Sequence, residues 1–181
     1  MNYHNILHDD MRNGTGLRVT LFVSGCNNKC QGCQNPQTWD KDGGILFDND
    51  AVREIIDELK KPHINGLTLS GGDPMHENNV QTLTKLCQLV KQNFPDKTIW
   101  LYTGHTFEEI YQTPGFWGTC DVDYVRECRN EILKHIDVLV DGRYVQELND
   151  VNYHWAGSTN QRVIDVPESL KQCKVVLYEQ E

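Results

Sequence analysis

Four short apolar segments, each running into a glycine, constrain the fold of this chain more than any other feature of its sequence. β-Branched and large apolar side chains dominate these segments, which are predicted strands at residues 17–24, 66–70, 98–102 and 136–140. Apolar residues at helical spacing alternate with them and predict helices at residues 51–61, 77–93, 106–111 and 121–135. We expect a loop at residues 112–119 and two further strands at residues 161–166 and 174–178. The alternation predicts an α/β fold built on a parallel sheet.

The glycines that follow the predicted strands are Gly25, Gly72, Gly104 and Gly142. The carboxyl ends of parallel strands meet at one edge of a sheet, where α/β proteins build their ligand sites. Glycine there lets the backbone approach a ligand closely or turn with a positive φ. Glycine also simply ends strands, which explains one or two of these positions well and all four less well. We therefore expect a shared ligand-binding edge.

Composition and charge narrow the class of protein. At 181 residues the chain is expected to be one domain, residues 1–181. A net charge of −9 without a basic run argues against a nucleic-acid partner. The first residues do not resemble a signal peptide, and no apolar run reaches the roughly 20 residues of a membrane helix. A cytoplasmic protein without a membrane partner is therefore expected, in which seven cysteines indicate metal or redox chemistry rather than disulfides.

Three cysteines lie directly after the first predicted strand. Cys26, Cys30 and Cys33 have the spacing C-x3-C-x2-C. A zinc site would need a fourth ligand from a distant residue, and a thioredoxin-like pair would leave Cys26 unexplained. Three thiols could also lie together by chance. An iron–sulfur cluster usually takes four cysteines, so three would leave one iron open to S-adenosylmethionine, whose amino and carboxylate groups can chelate it. The residues alone leave these four interpretations open.

The cysteine spacing is similar to that of the radical S-adenosylmethionine superfamily. The segment Ser70-Gly71-Gly72-Asp73-Pro74 resembles the second motif of that superfamily, a Gly-Gly-Glu segment that meets the methionine amino group. A longer resemblance, over residues 1–111 and 135–166, is to the activating proteins of anaerobic (class III) ribonucleoside-triphosphate reductases. It rests on Trp39 and on residues 13–18, 20–26, 30–35, 99–104, 138–144 and 157–162.

The resemblance implies a fold, an activity and partners. The fold is a partial, open (β/α) barrel of the radical S-adenosylmethionine type, with helices on its outer face. The activity is reductive cleavage of S-adenosylmethionine to a 5′-deoxyadenosyl radical, which takes a hydrogen atom from a glycine of the anaerobic reductase and leaves a glycyl radical. The implied partners are that reductase and an electron donor of the flavodoxin or ferredoxin type. The alternatives are an activase of another glycyl-radical enzyme, a radical enzyme acting on a small molecule, and a non-catalytic metal-binding module.

The resemblance also implies a set of site residues. They are the [4Fe–4S] ligands Cys26, Cys30 and Cys33 and the cofactor contacts Gly32, Gln34, Gly72 and Asp73. Asp73 stands where the superfamily has Glu, and its shorter side chain favours a contact through the backbone. No side chain is assigned as acid, base or nucleophile, because hydrogen abstraction by a carbon radical needs none.

Residues 112–134 have no counterpart in the resemblance and are expected to be an insertion. Within it, Cys120 and Cys128 could form a redox pair or ligate a second cluster. Cys128 shares a helical face with apolar residues, however, and Cys87 lies on the apolar face of its predicted helix, so both are expected to be core thiols. Arg162 could serve a cofactor, a partner or the backbone, and the sequence does not decide between them.

Overall fold

A seven-stranded sheet forms the centre of the computed structural model, which describes residues 1–111 and 120–179. The strands are β1 (Asn2–Asp10), β2 (Leu17–Val23), β3 (Ile45–Leu46), β4 (Ile64–Gly71), β5 (Thr98–Tyr102), β6 (Val138–Asp141) and β7 (Arg162–Asp165). The helices are α1 (Asn49–Leu59), α2 (Val80–Asn93), α3 (Phe107–Ile110), α4 (Cys120–Leu133) and α5 (Val166–Gln172). The loop predicted at residues 112–119 lies outside the described residues.

Four adjacent strands of the sheet run parallel, in the order β2, β4, β5 and β6. These are the four predicted strands, so the α/β prediction is confirmed for the centre of the sheet. The edges differ, because β1 and β3 at one edge and β7 at the other pair antiparallel with their neighbours. Within the described residues the two edge strands β3 and β7 do not pair with each other, so the sheet is open.

The strand β1 is absent from the sequence analysis, and its burial pattern explains why. Of its nine residues only Tyr3, Ile6 and Asp10 are buried, which is not the period-two alternation of a half-buried strand. Irregularities in its pairing with β2 break the alternation. β1 therefore forms through backbone pairing with β2 rather than through its own pattern.

Two expectations near the C-terminus fare differently. The predicted strand at residues 161–166 is confirmed as β7, whereas the strand predicted at residues 174–178 is wrong, because that segment makes a single bridge from Leu177 to Ile164. The short helix α5 between them is missing from the sequence analysis. Its N-cap Asp165 accepts a hydrogen bond from the backbone N–H of Glu168, a local signal that holds the helix start in place.

Alternate residues of the parallel strands pack on opposite faces of the sheet. The helices bury their apolar residues against one face, which includes Leu67, Leu69, Ile99, Leu101 and Leu139. The other face carries Trp100, Val138 and Val140, covered by Trp155 and Tyr178. All the helical core positions thus lie on one side of the sheet, and the ligand-binding edge lies where its parallel strands end.

A buried arginine holds the strands together on the face opposite the helices. The Arg18 guanidinium of β2 donates to the Thr68 hydroxyl at 2.7 Å, and to the carbonyls of Leu67 at 2.8 Å and Thr98 at 2.9 Å. It also lies 5.5 Å from the ring centroid of Trp100. Burial lowers the pKa of Arg18 to about 10, so the group stays charged at neutral pH.

Helix α2 begins at Val80, three residues later than predicted, because the residues before it form turns at the end of β4. The Asn79 side chain donates to the carbonyls of Ser24 at 2.8 Å and Asp73 at 3.0 Å, which ties the ends of β2 and β4 together. None of the helices within residues 1–111 and 120–179 has the length and hydropathy that a bilayer crossing demands.

Candidate functional site

A cavity of about 640 Å³ lies where the four parallel strands end. Cys26 follows β2, Gly72 follows β4, Gly104 follows β5 and Gly142 follows β6, and all four line it. The structure thus brings the predicted strand ends to one cavity.

The three predicted cluster ligands share this cavity. Cys26, Cys30 and Cys33 line it, each is half-buried, and each is a free thiol. The loop is held by its backbone, with Cys26 N donating to Trp39 O at 3.1 Å. Burial raises the pKa of the Cys26 thiol, an effect that the backbone N–H of Asn28 partly offsets. Among the described residues no group of three or more His, Cys, Asp and Glu side chains is arranged around a single metal ion.

The cavity wall carries polar groups without partners. The indole N–H groups of Trp39 and Trp155 and the hydroxyl of Tyr102 are buried and find no hydrogen-bond partner in residues 1–111 and 120–179. All three side chains line the cavity. Buried donors of this kind are costly unless a ligand or water accepts their hydrogen bonds. Three soft thiol ligands beside them fit an iron–sulfur cluster next to a polar organic cofactor.

Gly72 brings the ends of β2 and β4 into close contact. Its N–H donates to Val23 O at 2.8 Å, and the next N–H, of Asp73, donates to Gly25 O at 2.8 Å. A Cβ at Gly72 would lie 2.6 Å from the Gly25 carbonyl oxygen, so no larger residue fits without a shift of the backbone. Gly72 also lines the cavity, and its contact with the methionine end of a cofactor stays a prediction.

Asp73 has a different setting from the one its motif suggests. Its side chain is buried, it is not among the residues that line the cavity, and four donors surround its carboxylate. Thr103 Oγ1 at 2.8 Å and Met75 N at 2.9 Å donate to Oδ1, while Asn28 Nδ2 at 3.2 Å and Gly104 N at 3.3 Å donate to Oδ2. The carboxylate thus joins the cysteine loop to the loops after β4 and β5. Its contact with a cofactor stays a prediction.

Gln34 and Gly32 flank Cys33 in different ways. Gln34 is exposed and lines the cavity. Gly32 does not line it, and its φ of +70° is the left-handed conformation that glycine adopts without strain. A Cβ there would also lie 2.8 Å from the Gln146 side chain. Gly32 therefore shapes the cysteine loop, and a direct cofactor contact through it stays a prediction.

Residues of the segment 151–157, all but Asn152, form most of the opposite wall, and the sequence did not predict most of them there. Gln161 holds this wall, since its Oε1 accepts from Gly157 N at 2.9 Å and its Nε2 donates to Gly142 O at 2.8 Å. Trp155 has a φ of +64°, a strained conformation for a large side chain. No sequence pattern marks a tryptophan for this conformation, so no local signal could have found it.

Arg162 belongs to the support of the cavity rather than to its wall. Its Nε donates to Asp141 Oδ1 at 3.0 Å, and its Nη2 donates to Glu108 Oε2 at 2.7 Å. Asp141 is buried and also accepts from the N–H of Phe107 at 2.7 Å, so this network joins β6, β7 and α3.

Cys87 and Cys128 follow the core expectation. Cys87 is fully buried in the core, and burial raises its pKa to about 12. Cys128 is half-buried and packs against the same core. The pairing of Cys120 with Cys128 stays a prediction.

Comparison with known proteins agrees with this geometry. A family model described as a 4Fe-4S single cluster domain matches residues 12–164. A protein of Enterobacteria phage T4 is 42% identical over 163 residues, which is 90% of this chain and 93% of the relative. A Haemophilus influenzae protein is 42% identical over 89% of this chain and 96% of its own length. An Escherichia coli (strain K12) protein is 39% identical over 90% of this chain and 97% of its own length. All three are named anaerobic ribonucleoside-triphosphate reductase-activating proteins, and this chain belongs to their family.

Proposed function

We propose that this protein is an iron–sulfur activase that reductively cleaves S-adenosylmethionine and generates a glycyl radical on the anaerobic ribonucleoside-triphosphate reductase. The observation that carries the proposal is the cavity at the ends of the parallel strands, which is lined by three free thiols and by glycine residues. Membership of a family whose relatives are named for activating that reductase supplies the protein substrate.

Each part of the cavity has a task in this proposal. Cys26, Cys30 and Cys33 bind a [4Fe–4S] cluster and leave one iron for the methionine end of the cofactor. When bound, the cluster and S-adenosylmethionine supply the electron and the carbon radical that removes a hydrogen atom from the substrate glycine. Gly72 and Gly104 line the cavity and would offer backbone to the methionine amino and carboxylate groups. Gln34 flanks the cluster ligands at the cavity wall.

The sheet itself suits a protein substrate. We infer that it is the partial barrel of the radical S-adenosylmethionine type, since parallel strands at its centre carry helices on one face only. Because the sheet does not close within the described residues, a glycine-containing loop of the reductase can approach the cavity. The electron that the reaction consumes comes from a donor of the flavodoxin or ferredoxin type.

The test begins with the cluster. Protein reconstituted under anaerobic conditions is expected to hold about four iron and four sulfide per chain, and Cys30→Ala to lose most of both. Cys173→Ala is the matched control, because Cys173 is exposed and lies outside the cavity, and it is expected to keep the wild-type iron content. Zinc in place of iron in the wild-type protein would contradict the proposal.

The second step tests the reaction. Reduced wild-type protein with S-adenosylmethionine is expected to form 5′-deoxyadenosine and, when a class III reductase is added, a glycyl-radical EPR signal. An intact, reduced cluster that forms no 5′-deoxyadenosine would refute the activity. Formation of 5′-deoxyadenosine without a radical on the reductase would refute the assigned protein substrate.

A further inference from the structure

A second cavity, of about 550 Å³, lies against the cysteine loop. Residues of the loop alternate between the two cavities: Asn28 and Cys30 line the first, and Asn27 and Lys29 line the second. Cys26 lines both. The loop is therefore a thin partition, and a proposed cluster ligand is reached from either side of it.

The chemistry of the proposed function needs such a second side. Each cleavage of S-adenosylmethionine consumes one electron, and the first cavity is the place for the cofactor and the glycine loop of the reductase. An electron donor that used the first cavity would compete with both. A donor at the second cavity would reach the cluster through Cys26 while the first cavity stays filled.

The charges at the second cavity favour an acidic partner. Lys29 and Lys41 line it together with Asp40, and Lys41 forms an ion pair with Asp42 at 2.6 Å. Lys29 is exposed and forms no ion pair within residues 1–111 and 120–179. In a chain of net charge −9, a free cation next to Cys30 and three residues from Cys26 is a local exception that attracts an acidic protein surface.

The backbone fixes the position of this cation. Lys29 has a φ of +45°, a conformation that is uncommon for residues other than glycine. Lys29 lies between Cys26 and Cys30 in the cysteine loop and lines the second cavity together with Cys26. The residue that would meet a partner is thus part of the turn that carries the first cysteine.

We propose that an acidic one-electron carrier protein of the flavodoxin or ferredoxin class docks over the second cavity, with Lys29 at the contact, and delivers its electron on the Cys26 side of the loop. This inference rests on the proposed function. The carrier is oxidised by one electron and the oxidised cluster is reduced by one. No bond is made or broken, and no proton moves.

The experiment compares Lys29→Glu with Lys85→Glu, a charge reversal at an exposed lysine of α2 that lines neither cavity. Cluster reduction by a purified, fully reduced flavodoxin is followed by stopped-flow absorbance over a range of salt concentrations, and binding of the flavodoxin is measured by anaerobic calorimetry. At low salt we expect Lys29→Glu to bind flavodoxin about fivefold more weakly and to accept its electron about fivefold more slowly than the wild type. Lys29→Gln is expected to lie between the two, and Lys85→Glu to behave like the wild type. The differences are expected to shrink at high salt.

Reduction by dithionite separates docking from other effects. Dithionite is a small reductant that needs no protein interface. Because it is an anion, it is used at high salt, where all three variants are expected to be reduced by it at the wild-type rate. Equal rates with flavodoxin for wild type and Lys29→Glu would overturn the proposal, and so would an equal loss with dithionite. Failure of the proposed function appears elsewhere, as wild-type protein reduced by dithionite that forms no 5′-deoxyadenosine.

Discussion

Replacement of Asp73 by Asn tests whether this carboxylate is the joint between three loops of the cavity. The change keeps the size of the side chain and removes its charge and one acceptor oxygen. The amide oxygen is expected to keep the two shorter bonds, from Thr103 Oγ1 at 2.8 Å and Met75 N at 2.9 Å. The amide nitrogen then faces Asn28 Nδ2 and Gly104 N, which are both donors.

The size of the effect follows from these four bonds. Asn28 can turn its amide to offer an oxygen, but the backbone N–H of Gly104 cannot, and an unsatisfied buried donor costs about 1–3 kcal/mol. Bonds that lose their charge assistance weaken by roughly half. Together these changes predict a loss of about 3 kcal/mol of folding free energy. For a chain of this size that is a fall of about 6–12 °C in the thermal midpoint.

The assay is thermal unfolding of the cluster-loaded protein, followed by far-UV circular dichroism without oxygen. Asp57→Asn is the matched control, because Asp57 is 67% exposed and, among the residues that the structure describes, forms an ion pair only with Lys60. The midpoint of this variant is expected to change by less than about 2 °C. Binding of S-adenosylmethionine is measured alongside and is expected to weaken in Asp73→Asn, since the loops that form the cavity wall lose their joint. If Asp73→Asn has the same thermal midpoint and the same affinity for S-adenosylmethionine as the control Asp57→Asn, the role assigned to Asp73 is refuted.

Three further outcomes are expected. Gly72→Ala is expected to weaken S-adenosylmethionine binding at least about tenfold by calorimetry, because its Cβ would lie 2.6 Å from a carbonyl oxygen. The control is Gly142→Ala, whose Cβ would lie 3.9 Å from its nearest neighbours. It is expected to bind S-adenosylmethionine normally and to lose about 1–2 kcal/mol of stability. In cluster-loaded protein at pH 8, iodoacetamide is expected to modify exposed Cys173 and to spare Cys87, whose raised pKa of about 12 keeps it a neutral thiol; mass spectrometry that found Cys87 modified would contradict its burial. Arg162→Met leaves a buried carboxylate without its cation and is expected to cost about 3–5 kcal/mol in thermal unfolding, a loss that an unchanged midpoint would disprove.

The parts of the fold that the sequence predicts are those with local signals. The strands β2, β4, β5 and β6 are mostly buried. A strand that is buried on both faces is rich in apolar residues, and this composition is visible in the sequence. The cysteine loop is found because its three cysteines lie within eight residues. Helix α1 is found because its apolar residues keep helical spacing and Asp48 accepts from the N–H groups of Asp50 and Ala51 at its start.

The parts that the sequence does not predict depend on contacts between distant residues. Asp73 sits in a motif that suggests a cofactor ligand, yet its donors include Asn28 and Thr103, which lie 45 and 30 residues away in sequence. The wall formed by residues 151–157 is held by Gln161 through Gly142. No periodicity records such pairings, and only the folded chain reveals them.

The hydrophobic core lies apart from the cysteine loop, and this separation affects how the protein responds to oxygen. Cys26, Cys30 and Cys33 are not among the described residues that form the core between sheet and helices, and a backbone hydrogen bond from Cys26 N to Trp39 O ties their loop to the segment that follows it. Zinc fingers, by contrast, unfold when their metal leaves. If these cysteines bind the proposed cluster, we therefore expect oxygen that destroys the cluster to leave the fold intact. The damaged molecule would be repaired by reassembling a cluster in place, with no new synthesis of the chain.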